Sequence, residues 1–154
     1  TIWEAGKKFN ISPGCPNLID RIEGGLMSYG NDFTGENNPF ECNLEKYCKD
    51  DVSHDFIGKK ALTKIKNEGI KQKMMGIIFD GDPCPATGQP LKVLSKDNKN
   101  IGQITSGIFS PRIKKNIGLS MILNKYWNVG ESVFVQTLDG RKRNGTITSL
   151  PFPD

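Results

Sequence analysis

Histidine and paired thiols are what this chain most lacks. It has one histidine, His54, and its four cysteines, Cys15, Cys42, Cys48 and Cys84, form no C-x-x-C pair. That donor set argues against a zinc site. No G-x-G-x-x-G occurs, and Gly58-Lys59 lacks the upstream glycine and the following Ser or Thr of a phosphate-binding loop. No serine sits in a nucleophile elbow. No apolar run approaches the roughly 20 residues of a membrane span. There are no repeats and no low-complexity tract. Nothing reads as a signal peptide, so reduced thiols in a cytoplasmic protein are the expectation.

What remains is ordinary globular material. The 154 residues suffice for one domain with a real core, or a small domain plus part of another. Hydrophobic content is 36% and charged content 25%. The net charge of +4 is mild and the lysines are spread along the chain. They read as solvated surface and not as a nucleic-acid footprint.

Ile2 to Phe9 reads as the back half of an amphipathic helix, so an N-terminal portion ahead of residue 1 is expected. Asn17 to Glu23 fits a short helix with Asn17 as its cap, ended by Gly24-Gly25. Phe40 to Tyr47 alternates and reads as a strand. Ile57 to Glu68 is the clearest helix: Ile57, Ala61, Leu62 and Ile65 follow helical spacing, Asp55 stands where it can help cap the start, and Gly69 stops it. After Gly69 the texture changes to short strands and turns: Lys73 to Phe79, Gln89 to Leu94, Ile101 to Ile108, Asn116 to Leu123, Ser132 to Thr137 and Gly145 to Leu150. Asp80 to Pro83 is a turn signal, and Asp139-Gly140 is a hairpin signal. Regular strands with turn punctuation suggest a closed antiparallel sheet. A domain boundary is expected near Gly69, giving an α+β chain divided into 1–69 and 70–154.

The segment of most chemical interest is Arg21 to Asp32. It sets one arginine and two carboxylates, Glu23 and Asp32, among glycines and apolar residues. A guanidinium offers a fork of donors, and glycines let a backbone approach a ligand closely. Arg21 and Glu23, two apart on a helix, do not face each other. One can serve a ligand and the other a structural bond. An ion pair of Arg21 with Asp32 or Glu36 explains the spacing equally well. His54 beside Asp55 reads as surface decoration. The basic clusters Arg112-Ile113-Lys114-Lys115 and Arg141-Lys142-Arg143 read as solvated loops, with an anion or a polyglutamate tail as the alternative ligand.

Arg-x-Glu-x-Gly followed by Tyr-Gly-x-Asp, here Arg21 to Asp32, resembles the aminomethyltransferase family typified by the glycine cleavage T-protein. Asn38-Pro39-Phe40-Glu41 is similar to its Thr-Pro-x-Glu segment, and Asp55 to Leu62 to its Asp-Phe-Ile-Gly-Lys-x-Ala-Leu helix start. Gly102 to Pro111 resembles its Gly-x-Val-Thr-Ser-Gly-x-x-Ser-Pro motif, and Asn116-Ile117-Gly118-Leu119 follows in order. The resemblance covers nearly the whole chain. Three departures look most like the branch that demethylates dimethylsulfoniopropionate: Gly24 where alanine is usual, Asn38 to Leu44, and the Phe79 to Pro85 insert.

The resemblance implies a three-domain transferase with tetrahydrofolate as co-substrate. This chain would supply the end of its central α/β region, 1–69, and its C-terminal antiparallel β-barrel, 70–154. It implies that Arg21 reaches the bound folate or substrate, with Glu23, Tyr29 and Asp32 in support. It assigns no catalytic residue to this chain, since the pterin-binding carboxylate and the substrate pocket lie upstream. The reaction implied is transfer of a sulfonium methyl to tetrahydrofolate, giving methylmercaptopropionate and methyltetrahydrofolate. Aminomethyl transfer from a lipoyl carrier protein is the alternative within the family. A non-catalytic folate-binding module and a plain interaction domain are the alternatives outside it. The expected partners are the small substrate and the N-terminal portion of the same enzyme, with a homodimer left open and no nucleic acid or membrane.

Overall fold

The computed structural model describes residues 1–153 apart from 13, 15, 16 and 49–54, so Cys15 and His54 lie outside the described residues. Three helices precede six strands: α1 (Ile2–Gly6), α2 (Leu18–Glu23), α3 (Lys59–Glu68), β1 (Gln72–Phe79), β2 (Leu91–Leu94), β3 (Asn100–Ser110), β4 (Lys115–Leu123), β5 (Ser132–Gln136) and β6 (Lys142–Thr148). The strands close into an antiparallel barrel in the order β1-β4-β3-β2-β5-β6, with β6 pairing back onto β1. Closure leaves no free sheet edge. The expected closed antiparallel sheet is the fold observed. Asp139-Gly140 lies in the turn that joins β5 to β6.

The barrel interior follows the two-residue period of its strands. Met75, Ile77 and Phe79 of β1 meet Leu91, Val93, Ile104, Ile122, Val133, Val135 and Ile147 in one buried cluster. The opposite faces of β1 and β4 are buried too. Met74, Ile117, Leu119 and Met121 pack beneath Ile22 of α2 and Phe152 of the C-terminal tail. The backbone amide of Phe152 donates to the carbonyl of Glu23, which ties that tail to α2. Two-sided burial explains why β1 and β4 read as nearly continuous apolar runs.

The β3–β4 ladder carries a bulge. Ile104 pairs with Ser120 and Ser106 with Leu119, which leaves Thr105 as the extra residue. Nearby, Gly102 lies so close to β4 that a Cβ there would sit 2.2 Å from the carbonyl oxygen of Met121. Only glycine fits that approach.

Ahead of the barrel, two expectations change. Phe40 to Tyr47 is not a strand: it forms turns and a short 3-10 helix, Glu45–Tyr47. The Asn38 side chain accepts from the amides of both Phe40 and Glu41, and the Pro39 carbonyl accepts from Cys42 and Leu44. Local side-chain bonding of this kind competes with a ladder, and a period-two pattern does not reveal it. Asp55 does not cap α3, whose N-cap is Gly58; its side chain accepts from the adjacent Phe56 amide. Asn17 does cap α2, accepting from the Asp20 amide at 2.9 Å.

Candidate functional site

Helix α2 lies along β3 and lays one charged side chain at each of two serines. The Arg21 guanidinium donates to Ser106 Oγ at 2.8 Å, to Asp32 Oδ2 at 2.8 Å and to the Leu26 carbonyl at 2.7 Å. Glu23 accepts from Ser110 Oγ on one oxygen and from Arg112 Nε at 2.8 Å on the other. The two residues therefore serve different partners, as their spacing on a helix requires. Arg21 pairs with Asp32 and not with Glu36.

Asp32 is the hub. Its side chain is fully buried, and both oxygens are occupied. Oδ2 accepts from Arg21 and from the Ser28 amide at 2.7 Å. Oδ1 accepts from Thr105 Oγ1 at 2.7 Å and Ser106 Oγ at 2.6 Å. On a regular strand, consecutive residues point to opposite faces. The bulge at Thr105 removes that constraint and lets two neighbours reach one carboxylate. Burial pushes the Asp32 carboxyl up. The bonds from Ser106, Thr105, Ser28 and Arg21 outweigh it and hold the group below the usual carboxylate range. Glu23 behaves alike: burial raises it, while Ser110 and Arg112 lower it further than burial raises it.

Arg21 is an anchor with capacity to spare. A guanidinium has five N–H donors. Three are used on Ser106, Asp32 and Leu26. Among the described residues nothing accepts from Nε or from the second Nη2 hydrogen. The side chain remains 18% exposed. Nε–H and an Nη2 N–H form the side-on edge of a guanidinium, the edge that grips a carboxylate or a planar acceptor with two parallel bonds.

Tyr29 is largely exposed and stands edge-on to Phe33, with ring centroids 5.5 Å apart. It is not joined to the Arg21–Asp32 pair by a hydrogen bond. Two clefts flank the segment. One, of about 310 Å³, is lined by Asn31, Asp32, Asn37, Gln72, Gln103 and Thr105 among others and is rich in amides. The other, of about 410 Å³, is more apolar and is lined by Gly24 to Met27, Cys42 to Leu44 and Met74 among others.

The two basic clusters are bonded within the chain. Arg112 bonds Glu23, Arg141 bonds Asp139, and Arg143 donates to the Asp82 carbonyl at 2.6 Å. Cys42, Cys48 and Cys84 are free thiols. Burial pushes the Cys42 thiol up, and the neighbouring Glu41 charge adds to this. Residue reasoning did not single out Ser106, Thr105, Asn31 or Ser110 as a hydrogen-bonded set. All four stand in the quoted motifs, so the signal was present, but no sequence spacing shows that residues 73 to 87 apart meet.

Comparison with known proteins gives a consistent picture. Glycine cleavage T-protein C-terminal barrel domains match residues 72–154. The dimethylsulfoniopropionate demethylase DmdA of Ruegeria pomeroyi is 37% identical over 92% of the chain. Aminomethyltransferases of Caldanaerobacter subterraneus and Thermoanaerobacter pseudethanolicus are 39% and 40% identical over 88% and 86% of it. The chain spans 38%, 37% and 35% of the lengths of these relatives. A solved structure, the glycine cleavage system aminomethyltransferase T of Bartonella henselae, superposes with a TM-score of 0.76 at 25% identity, covering 88% of this chain and 37% of that one. A closed barrel and matches on this scale lead to one conclusion: the chain belongs to the glycine cleavage T-protein family, and its six strands form that family's C-terminal barrel domain.

Proposed function

We propose that this chain is the C-terminal part of a tetrahydrofolate-dependent methyltransferase, a dimethylsulfoniopropionate demethylase. Residues 1–69 are then the end of its central α/β folate-binding region, and residues 70–154 carry the barrel. The observation that supports a folate-side role is the partly committed guanidinium of Arg21, held at three points with its side-on edge left over. Such an edge suits the carboxylates and planar polar ring of a folate. Glu23, Tyr29 and Asp32 stand in support. Asp32 holds Arg21, Glu23 holds the loop at Arg112, and exposed Tyr29 offers a ring beside the segment.

The chemistry asks little of acid or base. A sulfonium sulfur keeps the electron pair of the broken C–S bond and leaves as a neutral thioether. Tetrahydrofolate, when bound, supplies the nitrogen lone pair that forms the new N–CH3 bond, and the amine proton passes to solvent. The protein's work is alignment. Arg21 orients one reactant, and Asp32 keeps Arg21 in place. The broad coverage of the demethylase match and the departures at Gly24, Asn38 to Leu44 and Phe79 to Pro85 favour this substrate. Aminomethyl transfer with release of ammonia is the second reading, favoured by the equally high identity to aminomethyltransferases. We place the enzyme in the cytoplasm, in keeping with the free thiols Cys42, Cys48 and Cys84.

Turnover of the intact parent protein with tetrahydrofolate separates the readings. Methylmercaptopropionate from dimethylsulfoniopropionate is the expected product; ammonia from an aminomethyl-lipoyl carrier in its place replaces the first reading with the second. Arg21→Lys keeps a cation for Asp32 and loses the fork. It should raise the folate KM by about tenfold, well beyond its effect on kcat. An unchanged folate KM would remove Arg21 from the site.

A further inference from the structure

The Ser106 hydroxyl is saturated. A serine hydroxyl has one hydrogen to give and two lone pairs to receive with. Ser106 gives its hydrogen to Asp32 Oδ1 at 2.6 Å. It receives from Arg21 Nη2 at 2.8 Å and from Asn31 Nδ2 at 2.7 Å. The residue is buried, so no solvent replaces a lost partner. Asn31 is fixed in turn by the Thr105 carbonyl at 3.1 Å. Asp32 binds Arg21 through Nη1, and Ser106 binds it through Nη2. The Leu26 carbonyl also takes its bond from Nη1, so Ser106 supplies the contact on the second nitrogen, and contacts on both nitrogens fix the plane of the guanidinium more tightly than contacts on Nη1 alone. The direction of the remaining edge is therefore set from the barrel, through a strand residue 85 positions away in sequence.

We propose that Ser106 is a positioning residue. Its hydroxyl locks the plane of the Arg21 guanidinium, so the barrel, through the β3 bulge, sets the angle at which Arg21 meets the folate. The inference rests on the folate-side reading of Arg21. It deepens that reading by giving the barrel a part in ligand affinity. Thr105 supports the same lock by taking a second bond to Asp32 Oδ1, which leaves Oδ2 to Arg21 and Ser28.

The test is a set of tetrahydrofolate dissociation constants, measured by calorimetry on the intact parent protein. Ser106→Ala should weaken folate binding by about tenfold, the scale of a buried hydrogen bond to a charged group. Ser106→Thr keeps the hydroxyl and should stay within about threefold of the parent. In an Arg21→Lys background, Ser106→Ala should add no further loss, because the fork it positions is gone. A merely structural serine would lower the urea midpoint without this dependence on Arg21. Weakening by Arg21→Lys but not by Ser106→Ala overturns the positioning role and leaves Arg21 at the folate. No weakening by Arg21→Lys overturns the folate-side reading and the positioning role together. Full additivity of the two substitutions also overturns the role. If Ser106→Ala does not fold, Ser106→Cys, a weak hydrogen-bonding group of similar size, carries the same comparison.

Discussion

Helices α2 and α3 stand in instructive contrast. Of the two, α2 has the side-chain N-cap bond, but α3 carries the stronger helical pattern. It has ten residues against six, a regular apolar stripe, and Gly69 at a positive φ (78°) just past its end. Yet it buries no residue, and Ile57 just ahead of it is fully exposed. The shorter α2 buries Ile22 completely against β4 and the tail and supplies Arg21 and Glu23 to β3. Local propensity sets where a helix forms; tertiary partners set what it contributes. An amphipathic stripe without a partner surface, as on α3, is a surface in need of one.

The contrast can be broken at its strongest point first. Asp32→Ala removes the buried anion and leaves Arg21 uncompensated, so it should cost about 3–5 kcal/mol in urea denaturation. The pH dependence has a fixed sign. The folded Asp32 carboxyl lies below its unfolded value, so its contribution is full above about pH 4. It is lost as pH falls through the folded value. Urea midpoints between pH 5 and pH 2, taken as approximate bounds, should therefore fall more steeply for the parent than for Asp32→Asn. Equal slopes would show that the carboxylate does not carry the α2 contact. Ile22→Ala should cost about 2–4 kcal/mol, the usual loss for a large buried aliphatic group. A cost under about 1 kcal/mol would show that α2 rests on its charges alone.

The smallest effect belongs to α3. Leu62→Ser with Ile65→Ser should change the stability of this 154-residue chain by less than about 0.5 kcal/mol each, because neither side chain is buried. In the longer transferase proposed above, the same pair should cost several times more if upstream chain covers the stripe. Equal small effects in both would show that α3 lies open in the whole protein as well.

Much of the barrel was legible from residue patterns. The six strands, the β5–β6 turn and the Asn17 cap depend on alternation, turn residues and short-range bonding, all written within a few positions. Phe40 to Tyr47 shows where this fails. Its alternation is real, but Asn38 and Pro39 capture the backbone amides first. The site was half legible. An arginine and two carboxylates among glycines marked Arg21 to Asp32 for attention, and Asp32 was one of two candidate partners on spacing alone.

Chain order thus suffices for the strands, for the capped α2 and for the charged residues that α2 carries. It does not say that Arg21 meets Ser106, or that Thr105 and Ser106 turn to one carboxylate. That outcome needs a bulge in β3, and the bulge exists only because β4 pairs on either side of Thr105. Side chains on one strand alternate by local geometry. Two neighbours converge on one buried ion only when a distant strand fixes the register around them.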